Sequence, residues 1–171
     1  QLHFEQLKAV VEKMNYPFYQ DIHHINFGLI LLEGKKMSSR EGRIVELEEV
    51  LEEAKTIALK YIIEKNPSLE DKEEIAEKIG VSAIIFNDLK NYRTNDIEFN
   101  LEEMVNFLGQ TGPYLQYTSV RISSILSENK IIEGGLDFNL YTNEHSFELI
   151  KLISEYEEIL IKVKKDYAPS V

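Results

Sequence analysis

Residues 34–43 read Gly-Lys-Lys-Met-Ser-Ser-Arg-Glu-Gly-Arg, and this stretch separates two regions with different sequence patterns. Gly34 and Gly42 bracket it, and glycine supplies the backbone conformations of sharp loops. It holds four positive charges against one negative charge, in a chain whose net charge is -11. A loop with cations and hydroxyls is suited to phosphate, above all to a polyphosphate whose charge grows during a reaction. A solvated basic turn is the alternative interpretation.

The residues before this stretch predict one helix and one strand. Apolar residues recur at helical spacing over His3–Met14, and Asn15-Tyr16-Pro17 ends that pattern. His23–Leu32 is predicted to be a strand of a parallel sheet that is covered on both faces, because its apolar side chains fall on both sides. Residues 1–43 are therefore expected to be the last helix–strand unit of an α/β domain. Such sheets bind ligands beyond the carboxyl ends of their strands, where the basic stretch lies.

The residues after the stretch predict helices almost throughout. Ser68 is a plausible helix cap with Asp71 three residues on, and Gly80 is expected to end that helix. Residues 91–99 are predicted to be irregular or a short strand, and residues 131–143 a loop. Apolar stripes at helical spacing predict helices over 46–65, 68–80, 81–90, 101–108, 113–128 and 147–165. The sequence thus predicts a mostly α protein, in which a helix–strand piece of an α/β domain precedes an all-α helical bundle.

Composition excludes several kinds of site. The 171 residues include no cysteine, which excludes disulfides, thiolate zinc sites and a cysteine nucleophile, and suits a reducing compartment. No apolar run approaches the roughly 18 residues of a membrane span. An acidic chain repels nucleic acid non-specifically, so an RNA partner would be met through local patches and stacking. Because the chain begins Gln1-Leu2-His3 rather than with Met, and runs directly into a predicted helix, we expect a fragment of a longer protein.

One predicted helix carries a candidate RNA surface. Tyr114, Tyr117 and Arg121 lie at helical positions i, i+3 and i+7, and therefore on one face. Two aromatic rings and a guanidinium on one face can stack on unpaired bases. The alternative is that both tyrosines are half-buried core residues with their hydroxyls at the edge.

Histidines do not predict a metal site. His23 and His24 are adjacent, so in a strand they would point to opposite faces and could not easily share one ion. His3 and His145 are isolated in the sequence. We therefore expect no metal ligands among them.

Several stretches, in order along the chain, resemble arginyl-tRNA synthetases, which are class I aminoacyl-tRNA synthetases. A Lys-Met-Ser motif between glycines indicates only class I, whereas Gly-Pro-Tyr-Leu-Gln-Tyr is far more specific. The resemblance covers essentially the whole chain. Its residues are His24–Ile30, Gly34–Gly42, Val45–Leu51, Asp88–Arg93, Gly112–Tyr117 and the pair Arg121-Ile122.

The resemblance implies a division into three regions. Residues 1–43 would end a Rossmann-like catalytic domain and carry the Lys-Met-Ser loop. Residues 44–99 would form a helical connecting region that contacts the tRNA stem. Residues 100–171 would be part of an all-α anticodon-binding domain.

The resemblance also implies a reaction and its residues. Arginine and ATP, with Mg²⁺ on the phosphates, would give arginyl-adenylate and pyrophosphate, and the arginyl group would then pass to tRNA in the cytoplasm, with no membrane or DNA partner. Ser39 stands where the class pattern has Lys, and Arg40 beside it can supply the cation. The implied catalytic residues are Lys36, Ser38, Ser39 and Arg40; the implied ATP-binding residues are His3, Phe27, Gly28, Leu29, Lys36 and Met37; the implied anticodon-binding residues are Tyr114, Tyr117 and Arg121.

The His-Ile-Gly-His type motif of class I enzymes is absent from the sequence. We therefore expect that the 171-residue chain by itself does not activate arginine. Two other functions fit the same residues. One is a non-catalytic tRNA-binding module related to synthetases, and the other is a helical protein-interaction domain whose tyrosines are core and whose basic loop is inert.

Overall fold

The structure is a computed structural model that describes residues 2–36, 46–128, 134, 139 and 141–171. These residues form helices and one small sheet. The helices are α1 Leu2–Lys13, α2 Leu47–Lys65, α3 Lys72–Lys90, α4 Leu101–Met104, α5 Gly112–Glu128 and α6 Glu144–Asp166, with a 3-10 turn at Pro17–Asp21. The strands are β1 Ile30–Leu32, β2 Lys35–Lys36 and β3 Ile97–Glu98. The predicted mostly α fold is confirmed.

The core lies between α2 and α3. On α2 the buried residues recur every four positions, at Val50, Ala54, Ala58 and Ile62. Facing them, α3 presents Ala76, Gly80 and Ala83, so small side chains on both helices let the backbones approach closely. A Cβ atom on Gly80 would lie 2.8 Å from the Lys55 amide nitrogen, which shows how close the approach is.

Two further helices complete the packed region. The short helix α4 buries Leu101 and Met104 against α2 and α3, and Val105 after it is fully buried. The N-terminus of α5 packs on α3, where a Cβ atom on Gly112 would lie 2.6 Å from the Ser82 carbonyl oxygen.

The sheet is mixed, with the strand order β2-β1-β3. β1 pairs in parallel with β3, through Ile30 opposite Ile97, and antiparallel with β2, through Leu32 opposite Lys35. The sheet therefore joins the predicted α/β piece to the segment after α3. The expectation of a parallel sheet is only partly met, because β1 pairs in parallel with β3 alone, and the described residues leave Ile30 47% exposed.

Three predicted helix boundaries are wrong, for reasons that the structure shows. α3 continues through Gly80, because that glycine serves close contact with α2 rather than a helix end. α3 also begins after Asp71, which has a φ of 53° and makes no side-chain cap hydrogen bond, so Ser68 does not start it. α4 ends at Met104, because the Asn106 side chain accepts a hydrogen bond from the Leu108 N–H and turns the chain.

The predicted strand over His23–Leu32 shortens to β1. The main-chain N–H of Gly28 donates to the Arg93 carbonyl, and that of Leu29 donates to the Asp96 side chain, so regular ladder pairing starts only at Ile30. The predicted basic loop begins as a strand, since Lys35 and Lys36 form β2. Residues 37–43 of that loop, and most of the predicted loop over 131–143, lie outside the described residues.

Candidate functional site

A cleft of about 660 Å³ lies where the segment before β1 faces the segment after α3. Phe27, Gly28 and Leu29 line one side of it, together with Lys36 from β2. The other side is formed by residues from the end of α3 through β3 and by the chain after α6, including Asp88, Arg93, Asn95, Tyr167 and Pro169. The cleft thus brings together four of the residues that the resemblance implies for ATP binding, Phe27, Gly28, Leu29 and Lys36.

Hydrogen bonds fix the wall of this cleft. The Gly28 N–H donates to the Arg93 carbonyl oxygen at 2.6 Å, and the Leu29 N–H donates to the Asp96 carboxylate at 2.7 Å. The Leu29 carbonyl accepts from the Ile97 N–H at 2.8 Å. Three main-chain polar groups of Gly28 and Leu29 are therefore engaged within the chain.

Gly28 is required by a close approach of two backbones. A Cβ atom there would lie 2.1 Å from the Asn95 carbonyl oxygen and 2.9 Å from the Asp96 nitrogen. Real Cβ atoms do not approach main-chain atoms so closely, so only glycine fits without movement.

Lys36 stands on a tight hairpin. Glu33 and Gly34 link β1 to β2 with φ angles of 53° and 71°, and two positive values are what a type I′ turn needs. The Glu98 carboxylate accepts a hydrogen bond from the Gly34 N–H, at 3.1 and 3.2 Å to its two oxygens. The start of the basic loop is therefore held by β3. Met37, Ser38, Ser39 and Arg40 lie outside the described residues.

His3 does not line the cleft. Its ring meets the edge of Phe4, with the centroids 6.2 Å apart, and Phe4 stacks on His24 with centroids 4.3 Å apart. Phe4 and His24 line a separate pocket of about 360 Å³ against α1, and this pocket shares Asn26 with the cleft. His23 instead lies 6.4 Å from the Tyr167 ring, so the two adjacent histidines contact different rings.

The second candidate surface lies on α5. Arg121 lies over the Tyr117 ring at 5.7 Å, and its guanidinium donates to the Tyr117 hydroxyl at 3.3 Å. Tyr114 and Tyr117 are 46% and 50% exposed, so neither is a core residue within the described part of the chain. Exposure alone does not single them out, because Leu115 on the same helix is 57% exposed. Tyr117 is distinguished from Leu115 by its contact with the Arg121 guanidinium.

A groove of about 490 Å³ runs beside Tyr117, between α3 and α5, with Gln116 and Lys78 among its lining residues. Glu74 accepts a hydrogen bond from the Lys78 ammonium and raises the pKa of that group above its ordinary value. A Lys78–Glu74 ion pair therefore lies at this groove.

Three residues of the cleft region were missed by sequence reasoning: Arg93, Asp96 and Glu98. The alternation of acidic and apolar residues over Asp96–Phe99 is a signal for a short half-buried strand. It does not indicate that both acidic side chains accept main-chain N–H groups from residues more than 60 positions earlier.

Two family profiles match the chain. The profile described as "tRNA synthetases class I (R), catalytic domain" matches residues 1–101, and the one described as "DALR anticodon binding domain" matches residues 115–171. The first match covers more than half of the chain and ends just after β3, so it includes both walls of the cleft except the residues after α6. The second begins within α5.

Curated relatives agree with these profiles. The arginine–tRNA ligase of Ligilactobacillus salivarius is 48% identical over 169 residues, and that of Enterococcus faecalis is 46% identical over the same length. Each comparison covers 99% of this chain and 30% of the relative, so the chain spans less than a third of the length of these relatives. Among solved structures, the Thermus thermophilus arginyl-tRNA synthetase matches with a TM-score of 0.79 and 34% identity, over 95% of this chain and 27% of that one.

Proposed function

The chain belongs to the class I (R) family of tRNA synthetases, and we propose that it is the part of an arginine–tRNA ligase that holds the ATP phosphates and contacts the anticodon loop. In the proposed reaction the arginine carboxylate attacks the α-phosphorus of ATP, the bond to the bridging oxygen breaks, and pyrophosphate leaves. A terminal ribose hydroxyl of tRNA then attacks the arginyl carbonyl, and AMP leaves.

The observation that carries this proposal is the shared cleft of Lys36 and residues 27–29. In the proposal, Phe27, Gly28 and Leu29 receive the adenine, and the Lys36 ammonium faces the phosphates. Charge builds on pyrophosphate as the bond breaks, and a positioned cation stabilises that charge more than it stabilises bound ATP.

The remaining loop residues extend the same role. Ser38 and Ser39 offer hydroxyls to the phosphates, Arg40 offers a second cation, and Met37 lies between them and Lys36 in the sequence. Mg²⁺ enters as part of the ATP substrate. Across the described ranges no three His, Cys, Asp or Glu side chains are grouped so that they could hold a metal ion. His3 lines neither the cleft nor the smaller pocket, so in this proposal it acts on ATP binding only through the Phe4 ring that it contacts.

The RNA contact is proposed for α5. Tyr114 and Tyr117 would stack on unpaired nucleotides of the anticodon loop, and Arg121 would add a cation at the edge of the stack. Stacking is worth roughly 1–3 kcal/mol per base and needs little net positive charge, which suits a chain with a net charge of -11. Lys78 in the adjacent groove supplies a further cation for the RNA backbone.

We place this reaction in the cytoplasm, where tRNA is charged for protein synthesis. In the ranges that the structure describes, none of the helices combines the length and the apolar character that a membrane crossing demands.

The test is to charge a tRNA mixture with the full-length protein that contains this segment, offering each amino acid separately. Charging with arginine alone supports the proposal. Retained tRNA binding without any charging would instead favour a non-catalytic tRNA-binding module. Absence of tRNA binding would favour a protein-interaction domain.

The isolated 171-residue chain is expected to lack the first step, because it has no His-Ile-Gly-His motif to contact the other side of the phosphates. Arginine-dependent exchange between ATP and labelled pyrophosphate, measured on this chain alone, checks that expectation. A detectable exchange rate would refute it.

A further inference from the structure

Arg93 joins two parts of the molecule that are far apart in sequence. Its guanidinium donates to the main-chain carbonyls of Asp166, at 2.6 Å, and of Tyr167, at 3.2 Å. Asp166 is the last residue of α6, and Tyr167 caps that helix with a φ of 50°. The carbonyls of a helix's last turn carry partial negative charge and lack partners within the helix, so a cation there is favourable.

The main chain of the same residue holds the wall of the cleft. The Arg93 carbonyl accepts the 2.6 Å hydrogen bond from the Gly28 N–H, and Asp96, three residues on, holds the Leu29 N–H. The side chain of Arg93 thus reaches the end of α6 while its backbone reaches the proposed adenine segment.

The guanidinium is held in place on several sides. It lies 5.4 Å from the centre of the Tyr92 ring, and among the described residues its Nε is buried without a hydrogen-bond partner. A buried polar atom without a partner costs free energy, so the two carbonyl contacts must stabilise this orientation. His23 contacts the Tyr167 ring from the side of the cleft segment, so Tyr167 meets that segment and Arg93 together.

We propose that Arg93 is a positioning residue for the nucleotide cleft: by tying the end of α6 to the segment before β1, it keeps Gly28 and Leu29 at the distance that bound ATP requires. This inference rests on the proposal that the cleft binds ATP. In this inference Arg93 does not contact the reacting atoms. Arg93 acts through the hydrogen bond between its carbonyl and the Gly28 N–H.

The test uses the full-length protein with Arg93→Ala and Arg93→Lys. Lys90→Ala is the matched control, because the Lys90 ammonium also bridges distant segments by donating to a main-chain carbonyl, that of Gln110 at 3.0 Å, but it has no bond to the cleft wall. Two quantities are measured in each variant: hydrogen exchange of the amides over residues 27–31, and the KM for ATP in arginine-dependent pyrophosphate exchange.

In Arg93→Ala we expect hydrogen exchange of the amides over residues 27–31 to become about tenfold faster. The KM for ATP should rise by a similar factor, because losing a hydrogen bond from a charged donor changes an equilibrium at least about tenfold. Arg93→Lys should restore part of both, since an ammonium can still reach one carbonyl. Lys90→Ala should change neither. A merely structural role would lower the melting temperature and raise exchange in α2 and α3 as well, with an unchanged KM.

Unchanged exchange over residues 27–31 in Arg93→Ala would overturn the proposal, as would a rise that spreads equally to α2 and α3. If Arg93→Ala does not fold, Arg93→Lys decides by the same two criteria. If the wild-type protein charges no tRNA with arginine, the proposed function fails, while hydrogen exchange of the amides over residues 27–31 still tests the positioning role by itself.

Discussion

At the scale of single residues, a variant at Lys36 tests whether the proposed ATP site acts in catalysis as well as in binding. Lys36→Ala in the full-length protein should lower the rate of adenylate formation about 100-fold while weakening ATP binding much less, because its charge contact strengthens as pyrophosphate forms. Single-turnover kinetics with labelled ATP measure the rate, and equilibrium titration measures the affinity. An unchanged turnover with a raised KM would contradict this role.

Lys35→Ala is the control for that change. Lys35 is adjacent on β2 and does not line the cleft, and neighbouring side chains on a strand point to opposite faces. Lys35→Ala removes the same charge from the hairpin but leaves the cleft lining intact. We therefore expect it to lower the rate of adenylate formation less than Lys36→Ala does. Equal losses in both variants would mean that net charge, rather than position, decides the effect.

Gly28 tests the geometry of the cleft wall. Gly28→Ala would place a Cβ atom 2.1 Å from the Asn95 carbonyl oxygen, so the two backbones must separate. We expect a loss of about 1–3 kcal/mol in the free energy of unfolding and a raised KM for ATP. Urea unfolding and steady-state kinetics measure the two effects.

Gly109→Ala provides the comparison for Gly28. Gly109 has a φ of 81° and nothing within 4 Å of its Cβ position, so alanine there brings backbone strain without a clash. This variant should lose stability and keep the wild-type KM for ATP. A raised KM in Gly109→Ala would show that destabilisation alone changes nucleotide affinity.

At the scale of elements, α5 is expected to bind RNA through its aromatic face. Tyr117→Ala should weaken tRNA binding by roughly 1–3 kcal/mol, the loss of one stacked base, whereas Tyr117→Phe should keep most of the affinity. Filter binding at one fixed salt concentration measures this. Leu115→Ala, at a similarly exposed position of α5, should bind as the wild type does. Indifference of the affinity to Tyr117→Ala would favour a protein-interaction role.

The close contact between α2 and α3 predicts whether Gly80→Ala raises or lowers the free energy of unfolding. Alanine is favoured over glycine in a helix by about 1 kcal/mol, but a Cβ on Gly80 would meet the Lys55 nitrogen at 2.8 Å. Main-chain atoms cannot yield as a flexible side chain does, so Gly80→Ala should destabilise the protein by about 1–3 kcal/mol. Urea unfolding checks this against Ser127→Ala, at an exposed position of α5. A more stable Gly80→Ala would contradict the close packing.

Helix positions were largely predictable because the apolar stripes repeat over many residues, as in α1, α2, α5 and α6. The helix boundary at Gly80 was not, because a glycine that ends a helix and one that admits a neighbouring helix look the same in sequence. β1 was predicted too long for a related reason: its pairing with β3 depends on residues about 65 positions later, and local periodicity carries no information on that distance.

At the scale of the whole molecule, only part of the candidate site could be predicted from the sequence. Lys36 and residues 27–29 could be named because the chain resembles arginyl-tRNA synthetases, and the resemblance implies these residues for ATP. Arg93, Asp96 and Glu98 could not, because their roles arise from long-range hydrogen bonds to Gly28, Leu29 and Gly34. The division into regions 1–43, 44–99 and 100–171 stays a prediction. β1 from the first region pairs with β3 from the second, so these two regions share one sheet.

The most direct measurement is a crystal structure of the full-length protein with a non-hydrolysable ATP analogue. We expect the adenine to lie against Phe27, Gly28 and Leu29, with the phosphates directed towards Lys36 and the Gly28–Arg93 hydrogen bond retained. A nucleotide bound elsewhere, with no contact to Lys36 or to residues 27–29, would contradict the assignment of this cleft to ATP.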